Sequence, residues 1–230
     1  IRLPMPAPRL TIWIERGRAW STAAMGDVDT AARIALDSGR VGIAGEHFSW
    51  ALFSLHDAVR FGRPEVVIDE IRSIDTSHGA DYLVALQDHA EALIAGDTAG
   101  LVDVGLSFGE FACSRLKAEA FALASKLLDE SGDETEAARL NAIAKAVAAG
   151  CDEARTPALQ ACPDLVSDRE VQVALDAASG LTSPQIAEGR FISTRTVDNH
   201  LRSVYRKLDV SGRDELAEVM APAVDMLGET

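Results

Sequence analysis

Cysteine is scarce in this chain: Cys113, Cys151 and Cys162 are all it has among 230 residues. Three thiols at these spacings build neither a disulfide framework nor a C-x-x-C metal knuckle, which predicts a reduced, cytoplasmic protein. Aromatic residues make up only 5%, whereas strand-rich domains lean on aromatic and β-branched side chains. Proline is nearly missing from the middle, with Pro64 alone between Arg9 and Thr156. No stretch approaches the roughly 20 apolar residues of a membrane span, and no signal peptide opens the chain. The five histidines (His47, His56, His78, His89, His200) include no pair at metal-ligand spacing. There is neither a nucleophile elbow nor a G-x-x-x-x-G-K-[ST] phosphate loop. These absences argue against a membrane protein, a secreted scaffold and an enzyme, and they imply no metal and no cofactor.

What is present favours helices. The chain is 47% hydrophobic and 25% charged, enough to bury a core. About one residue in six is alanine, which loses no side-chain entropy in a helix. A proline-poor, alanine-rich run from residue 9 to 150 is therefore expected to be almost entirely helical. Pro4, Pro6 and Pro8 predict an extended segment over residues 1–8. The first residue is Ile rather than Met, so either something has been removed or the chain is expected to be the tail of a longer protein.

The helical run repeats. Gly26-Asp27, Gly62-Arg63, Gly96-Asp97 and Gly132-Asp133 recur at intervals of 34 to 36 residues. Amphipathic stretches precede them at Trp20–Met25, Trp50–Phe61, Leu83–Ala95 and Phe111–Leu128. Others follow at Val28–Leu36, Val66–Ile74, Leu101–Leu106 and Ala137–Val147. Glycine ends one helix in a left-handed cap, the polar residue starts the next, and the two fold back as a hairpin. Such a period predicts tetratricopeptide-like stacking over residues 9–150, although the residue signature of that repeat is mostly missing. An irregular helical bundle is the alternative. Trp13, Trp20 and Trp50 are expected in the core, and Glu46-His47 and His56-Asp57 on solvated faces.

Residues 151–166 lack periodicity and hold Thr-Pro and Cys-Pro, the pattern of a linker. Residues 167–222 then read as four helices, and 223–230 as a tail. Ser167-Asp168-Arg169-Glu170 forms a capping box. Pro184 opens a short second helix, Gly189–Ile192 makes a turn, and Ser193 caps a third helix to about Leu208. A last helix, Arg213–Ala221, is expected to stop at Pro222.

Charge singles out the third helix. The whole chain carries −14, which disfavours indiscriminate coating of nucleic acid. Yet residues 184–213 hold Arg190, Arg195, Arg202, Arg206, Lys207 and Arg213 against only Glu188, Asp198 and Asp209. On the helix, Val197, Leu201, Val204 and Leu208 form one apolar stripe. The opposite face shows Arg195, Thr196, Asp198, Asn199, Arg202, Ser203 and Arg206. Arginine and asparagine suit guanine and adenine edges, while the hydroxyls and further arginines suit phosphates. A short helix, a turn and a longer helix with that face describe a helix-turn-helix.

Residues 163–216 closely resemble the DNA-binding domain of LuxR-type transcription regulators. The resemblance runs through Ser167-Asp168-Arg169-Glu170-Val171, Gly180-Leu181-Thr182-Ser183, Ile186-Ala187-Glu188 and Ser193-Thr194-Arg195-Thr196-Val197-Asp198-Asn199-His200-Leu201. It continues through Val204-Tyr205-Arg206-Lys207-Leu208-Asp209-Val210-Ser211-Gly212-Arg213-Asp214-Glu215-Leu216. It implies that Thr196, Asp198, Asn199 and Arg202 face the groove and phosphates, with Arg206 and Lys207 beside the backbone. The candidate DNA-binding set is Ser193, Thr194, Arg195, Thr196, Val197, Asp198, Asn199, Arg202, Arg206 and Lys207. Three positions depart from the family pattern. Gly189-Arg190 replaces a polar residue and a core leucine, Pro184 stands where a phosphate-contacting lysine is common, and Asp209 stands where glycine is common. These are expected to weaken binding and to shorten the second helix.

The family pairs on half-sites through its final helix, which makes Asp214, Ala217, Glu218 and Ala221 the candidate dimerisation residues. More faintly, Cys151-Asp152-Glu153-Ala154-Arg155-Thr156-Pro157-Ala158-Leu159 resembles the junction in large ATP-binding LuxR-type regulators, where helical repeats precede the DNA-binding tail. The expected molecule is thus all-α, with helical repeats followed by a four-helix LuxR-type domain. Its expected partners are double-stranded DNA, a second copy on DNA, and an unidentified protein or ligand on the repeats, with no membrane. The rival expectation is a helical-repeat scaffold whose tail no longer binds DNA. A receiver domain or an acyl-homoserine-lactone sensor would need strands that the first 160 residues do not show.

Overall fold

A computed structural model describes residues 8–77, 80–151 and 155–224, and every regular element among them is helical. The glycines that punctuate the sequence explain the architecture. Gly26, Gly62, Gly96 and Gly132 all adopt positive φ, between 65° and 92°, the left-handed conformation that ends a helix at no Cβ cost. Asp27, Asp97 and Asp133 follow, and their carboxylates accept the N–H of Thr30, Gly100 and Glu136 at 3.0, 3.0 and 3.2 Å. Each pair stops one helix and starts the next.

The chain divides into two compact units. The first comprises residues up to Ser107 together with Arg155–Gln160. It holds α1 (Pro8–Ala24), α2 (Val28–Ala44), α3 (Phe48–Arg60), a 3-10 turn (Pro64–Val66), α4 (Ile68–Arg72), α5 (Asp81–Ala95), most of α6 (Thr98–Glu110) and the single turn α9 (Pro157–Gln160). Helix α1 packs on α2, α2 on α3, and α3 on α5. Small residues set the spacing: a Cβ on Gly42 of α2 would stand 2.8 Å from that of Ala51 on α3, so only glycine lets these helices meet. Ile12, Leu52, Leu55 and Val59 fill the core.

Several expectations for this unit are corrected. Pro8 is the first residue of α1, where a missing N–H costs nothing, so the extended segment does not reach it; residues 1–7 lie outside the described residues. Val66–Ile74 is not one helix: Val67 leaves the helical region at φ −125° and only five residues follow as α4. Three successive β-branched side chains there (Val66, Val67, Ile68) lose χ1 freedom in a helix. His56 and Asp57 are buried rather than solvated. Asp57 accepts from Arg16 at 2.6 and 3.1 Å, and His56 Nε2 lies 2.9 Å from His89 Nδ1. Burial, aided for each ring by the charge of Arg60, holds both imidazoles well below their ordinary pKa, His89 at about 3. Trp20 and Trp50 are half-buried, but Trp13 is 55% exposed. His78 lies outside the described residues.

The second unit comprises Phe108–Ala154 and residues from Ala161 onward. Its helices are α7 (Ser114–Ser131), α8 (Glu134–Ala149), α10 (Asp168–Ala178), α11 (Ser183–Arg190), α12 (Thr194–Leu208) and α13 (Arg213–Val224). Helices α7 and α8 form a hairpin, and α8 packs against α10, α12 and α13. Asn141 of α8 is fully buried; its amide donates to the Pro163 carbonyl and its oxygen accepts the Val166 N–H at 3.0 Å. Lys145 donates to the Val166 carbonyl at 2.7 Å and to Asp164. The expected linker is therefore not all irregular: it contains α9, and its last residues are pinned to α8. Of the faint junction resemblance, residues 152–154 lie outside the described residues.

Two helix ends also differ from expectation. Helix α11 runs through Gly189 to Arg190, because Arg190 pairs with Asp176 at 2.7 and 2.9 Å and Phe191 supplies the left-handed cap. Helix α13 continues past Pro222 to Val224, with Ala223 buried. A proline near a helix end removes one bond, and here burial of the next residue outweighs it. Residues 225–230 of the expected tail lie outside the described residues.

Candidate nucleic-acid interface

The candidate surface is built on α12, and the helix is well specified locally. The Ser193 hydroxyl accepts the Thr196 N–H at 3.1 Å, which satisfies one orphan donor of the first turn. Val197, Leu201, Val204 and Leu208 are all buried, at 0–5% exposure, and fasten one side to the core. At the far end Asp209 takes φ 50°, ψ 55°, where the family pattern has glycine. There Arg139 of α8 donates to the Leu208 carbonyl at 2.9 Å and to the Asp209 carbonyl at 3.3 Å. A cation on the last carbonyls of a helix also complements its dipole.

The opposite side is exposed. Arg195, Asn199, Arg202 and Arg206 fall at i, i+4, i+7 and i+11 and are all solvent-exposed, with Thr194 and Asp198 beside them. At about 1.5 Å per residue the line is roughly 17 Å long, enough to cross a major groove about 12 Å wide. Asn199 Oδ1 accepts from Arg202 Nη1 at 3.1 Å, which orients both amide and guanidinium before any ligand arrives.

Not every candidate belongs to that line. Val197 is fully buried, so its side chain is withdrawn from the contact set; the stripe that holds the helix claims it. Ser193 and Thr196 spend their hydroxyls on one another at 2.7 Å. Lys207 is half-buried, and its ammonium donates to Glu170 at 2.8 Å. Glu170 is itself buried and closes the capping box of α10 with Ser167. Burial alone would raise the Glu170 pKa, but hydrogen bonds from Lys207, Ser203 and Ser167 outweigh it and hold the carboxyl at about 2. Lys207 thus ties α12 to α10.

Beside the candidates Asp198 and Arg202, residues outside the candidate set also gather here. A cavity of about 320 Å³ is lined by Ser183, Asp198, Leu201, Arg202, Tyr205 and Arg213. Arg213 donates to the Leu181 carbonyl at 2.7 Å and to the Ser183 hydroxyl at 3.1 Å. It brings a guanidinium from the start of α13 to the start of α11. The basic island held Arg213, but nothing local in sequence placed it beside Ser183, 30 residues away. Of the candidate dimerisation residues, Asp214 and Glu218 are exposed and Ala217 and Ala221 half-buried, while Leu216, Met220 and Ala223 face the core. Among the described residues, no group of three or more His, Cys, Asp or Glu could hold a metal ion, and no helix is long and apolar enough to cross a membrane.

Residues 164–220 match the family model for bacterial regulatory proteins of the luxR family. Over 50 residues the chain is 46% identical to a nitrate/nitrite response regulator protein homolog of Haemophilus influenzae, covering 22% of this chain and 24% of that protein. The chain thus spans about a quarter of the length of that relative. No solved structure matches. Residues 164–220, which carry α10, α11, α12 and most of α13, thus form a domain of the kind found in luxR-family bacterial regulatory proteins.

Proposed function

We propose that this chain is a sequence-specific DNA-binding transcription regulator acting in the cytoplasm. Helix α12 lies in the major groove, Asn199 and Arg195 read base edges, and Arg202 and Arg206 hold the backbone. The observation that carries this is the exposed line Arg195, Asn199, Arg202 and Arg206, backed by a fully buried stripe on a segment that matches the luxR family. The helices of residues 9–150 act as tetratricopeptide-like repeats that bind a protein or ligand, a reading supported by the left-handed glycines at intervals of 34 to 36 residues. Two copies pair on half-sites through α13, at Asp214, Ala217, Glu218 and Ala221. Cycles of random-sequence enrichment and mobility shift on the whole chain test the reading. An enriched motif, lost with Asn199→Ala, is expected. Failure to enrich any motif would favour a helical scaffold whose tail has ceased to bind DNA.

A further inference from the structure

Phe191 joins α11 to α12 and is 95% exposed, the most exposed large apolar side chain among the described residues. Its backbone is left-handed, at φ 55°, ψ 43°, where a residue with a Cβ is disfavoured and glycine is at home. The chain around it is fixed. Arg190 makes its two-point pair with Asp176, the Phe191 N–H donates to Glu188 O at 3.3 Å, and the Ile192 N–H donates to Ala187 O at 3.0 Å. The ring contributes no burial to the fold, and its backbone position would suit glycine better. Strained, exposed residues of this kind cluster where a ligand is held.

Phe191 lies two residues before Ser193, the cap of α12, and four before Arg195, where the exposed line begins. In helix-turn-helix proteins the first residues of the second helix lie against base edges. An aromatic ring there suits neither phosphates nor hydrogen-bonding edges. The apolar group that a duplex offers in its major groove is the thymine 5-methyl. We propose that Phe191 is a specificity-determining residue that selects thymine, through its methyl group, at the border of the site contacted by α12. The inference rests on the DNA-binding reading above.

The test uses the whole chain, the site enriched by it, and versions of that site in which each thymine in turn is replaced by deoxyuridine. The unaltered chain is expected to lose about fourfold in affinity at one border position, the worth of one methyl group. Phe191→Gly should bind the thymine site roughly tenfold more weakly and no longer distinguish thymine from uracil at that position. Its dependence on salt should be unchanged, because no cation has been removed, and its melting temperature should be equal or higher. Three outcomes overturn the inference while leaving the DNA-binding reading intact: equal affinity in the glycine variant, continued discrimination by it, or no deoxyuridine effect on the unaltered chain. A lowered melting temperature also overturns it, since the ring would then be structural. If the unaltered chain enriches no site, the DNA-binding reading fails and takes this inference with it.

Discussion

At the scale of residues, two neighbouring cations on α12 have different work. Arg206 is exposed, whereas Lys207 is bound to the buried carboxylate of Glu170. Arg206→Ala should weaken all DNA about equally and lower the salt slope by roughly 1, with no change in melting temperature. Lys207→Met should do the reverse: leave the salt slope alone and cost about 2 kcal/mol of stability, because a buried carboxylate loses its cation. Salt titration of binding and chemical denaturation of the two variants separate the cases. Glu170 adds a pH signature. Its pKa is held at about 2, below the ordinary 4.5, so its contribution is complete above pH 4.5 and disappears as pH falls from 4.5 towards 2. Glu170→Gln should remove that part of the acid dependence from a denaturation series. The sequence shows the capping box at Ser167 and Glu170, since its parts are three residues apart. Lys207 lies 37 residues from Glu170, so nothing local in the sequence points to this pair.

At the scale of elements, helix starts and helix turns were the legible part. Asp27, Asp133, Ser167 and Ser193 cap as their chemistry dictates, and the four glycines turn left-handed. The intervening turns were not legible, because Glu46 and Ala112 adopt φ of 56° and 54° without being glycine, the residue that marks the other turns. The cap on α12 is hidden for a similar reason. Asp209 reads as a departure from the family pattern, yet Arg139, 69 residues before Leu208, covers the helix end. Arg139→Ala should cost the second unit about 1–2 kcal/mol, the worth of the hydrogen bonds and the dipole interaction together. Amide exchange should quicken chiefly over the last turn of α12, and uniform quickening along α12 would count against a local cap.

At the scale of the whole molecule, acid should act on the first unit through its buried histidines. His89 has a folded pKa of about 3, below the 6.5 of an exposed imidazole. Stability is therefore full above pH 6.5 and declines as pH falls towards 3, because the unfolded chain takes up the proton that the fold refuses. Between pH 6.5 and 5 the loss from one such histidine is about 2 kcal/mol. Denaturant midpoints across that range, with and without His89→Leu, check it: the variant should show the shallower decline.

The pinning of residues 163–166 by Asn141 and Lys145 bears on how such a protein can be cut and recombined. A tail excised at Pro163 carries α10 to α13 but abandons the buried amide that holds their entry and the guanidinium that closes α12. A piece starting at Phe108 keeps both. Grafts made at Phe108 should melt as one cooperative transition, and grafts made at Pro163 at a lower temperature. What looks on paper like a self-contained cassette ends, in physical terms, one helical hairpin further upstream, so any transfer of this tail has to carry that hairpin with it.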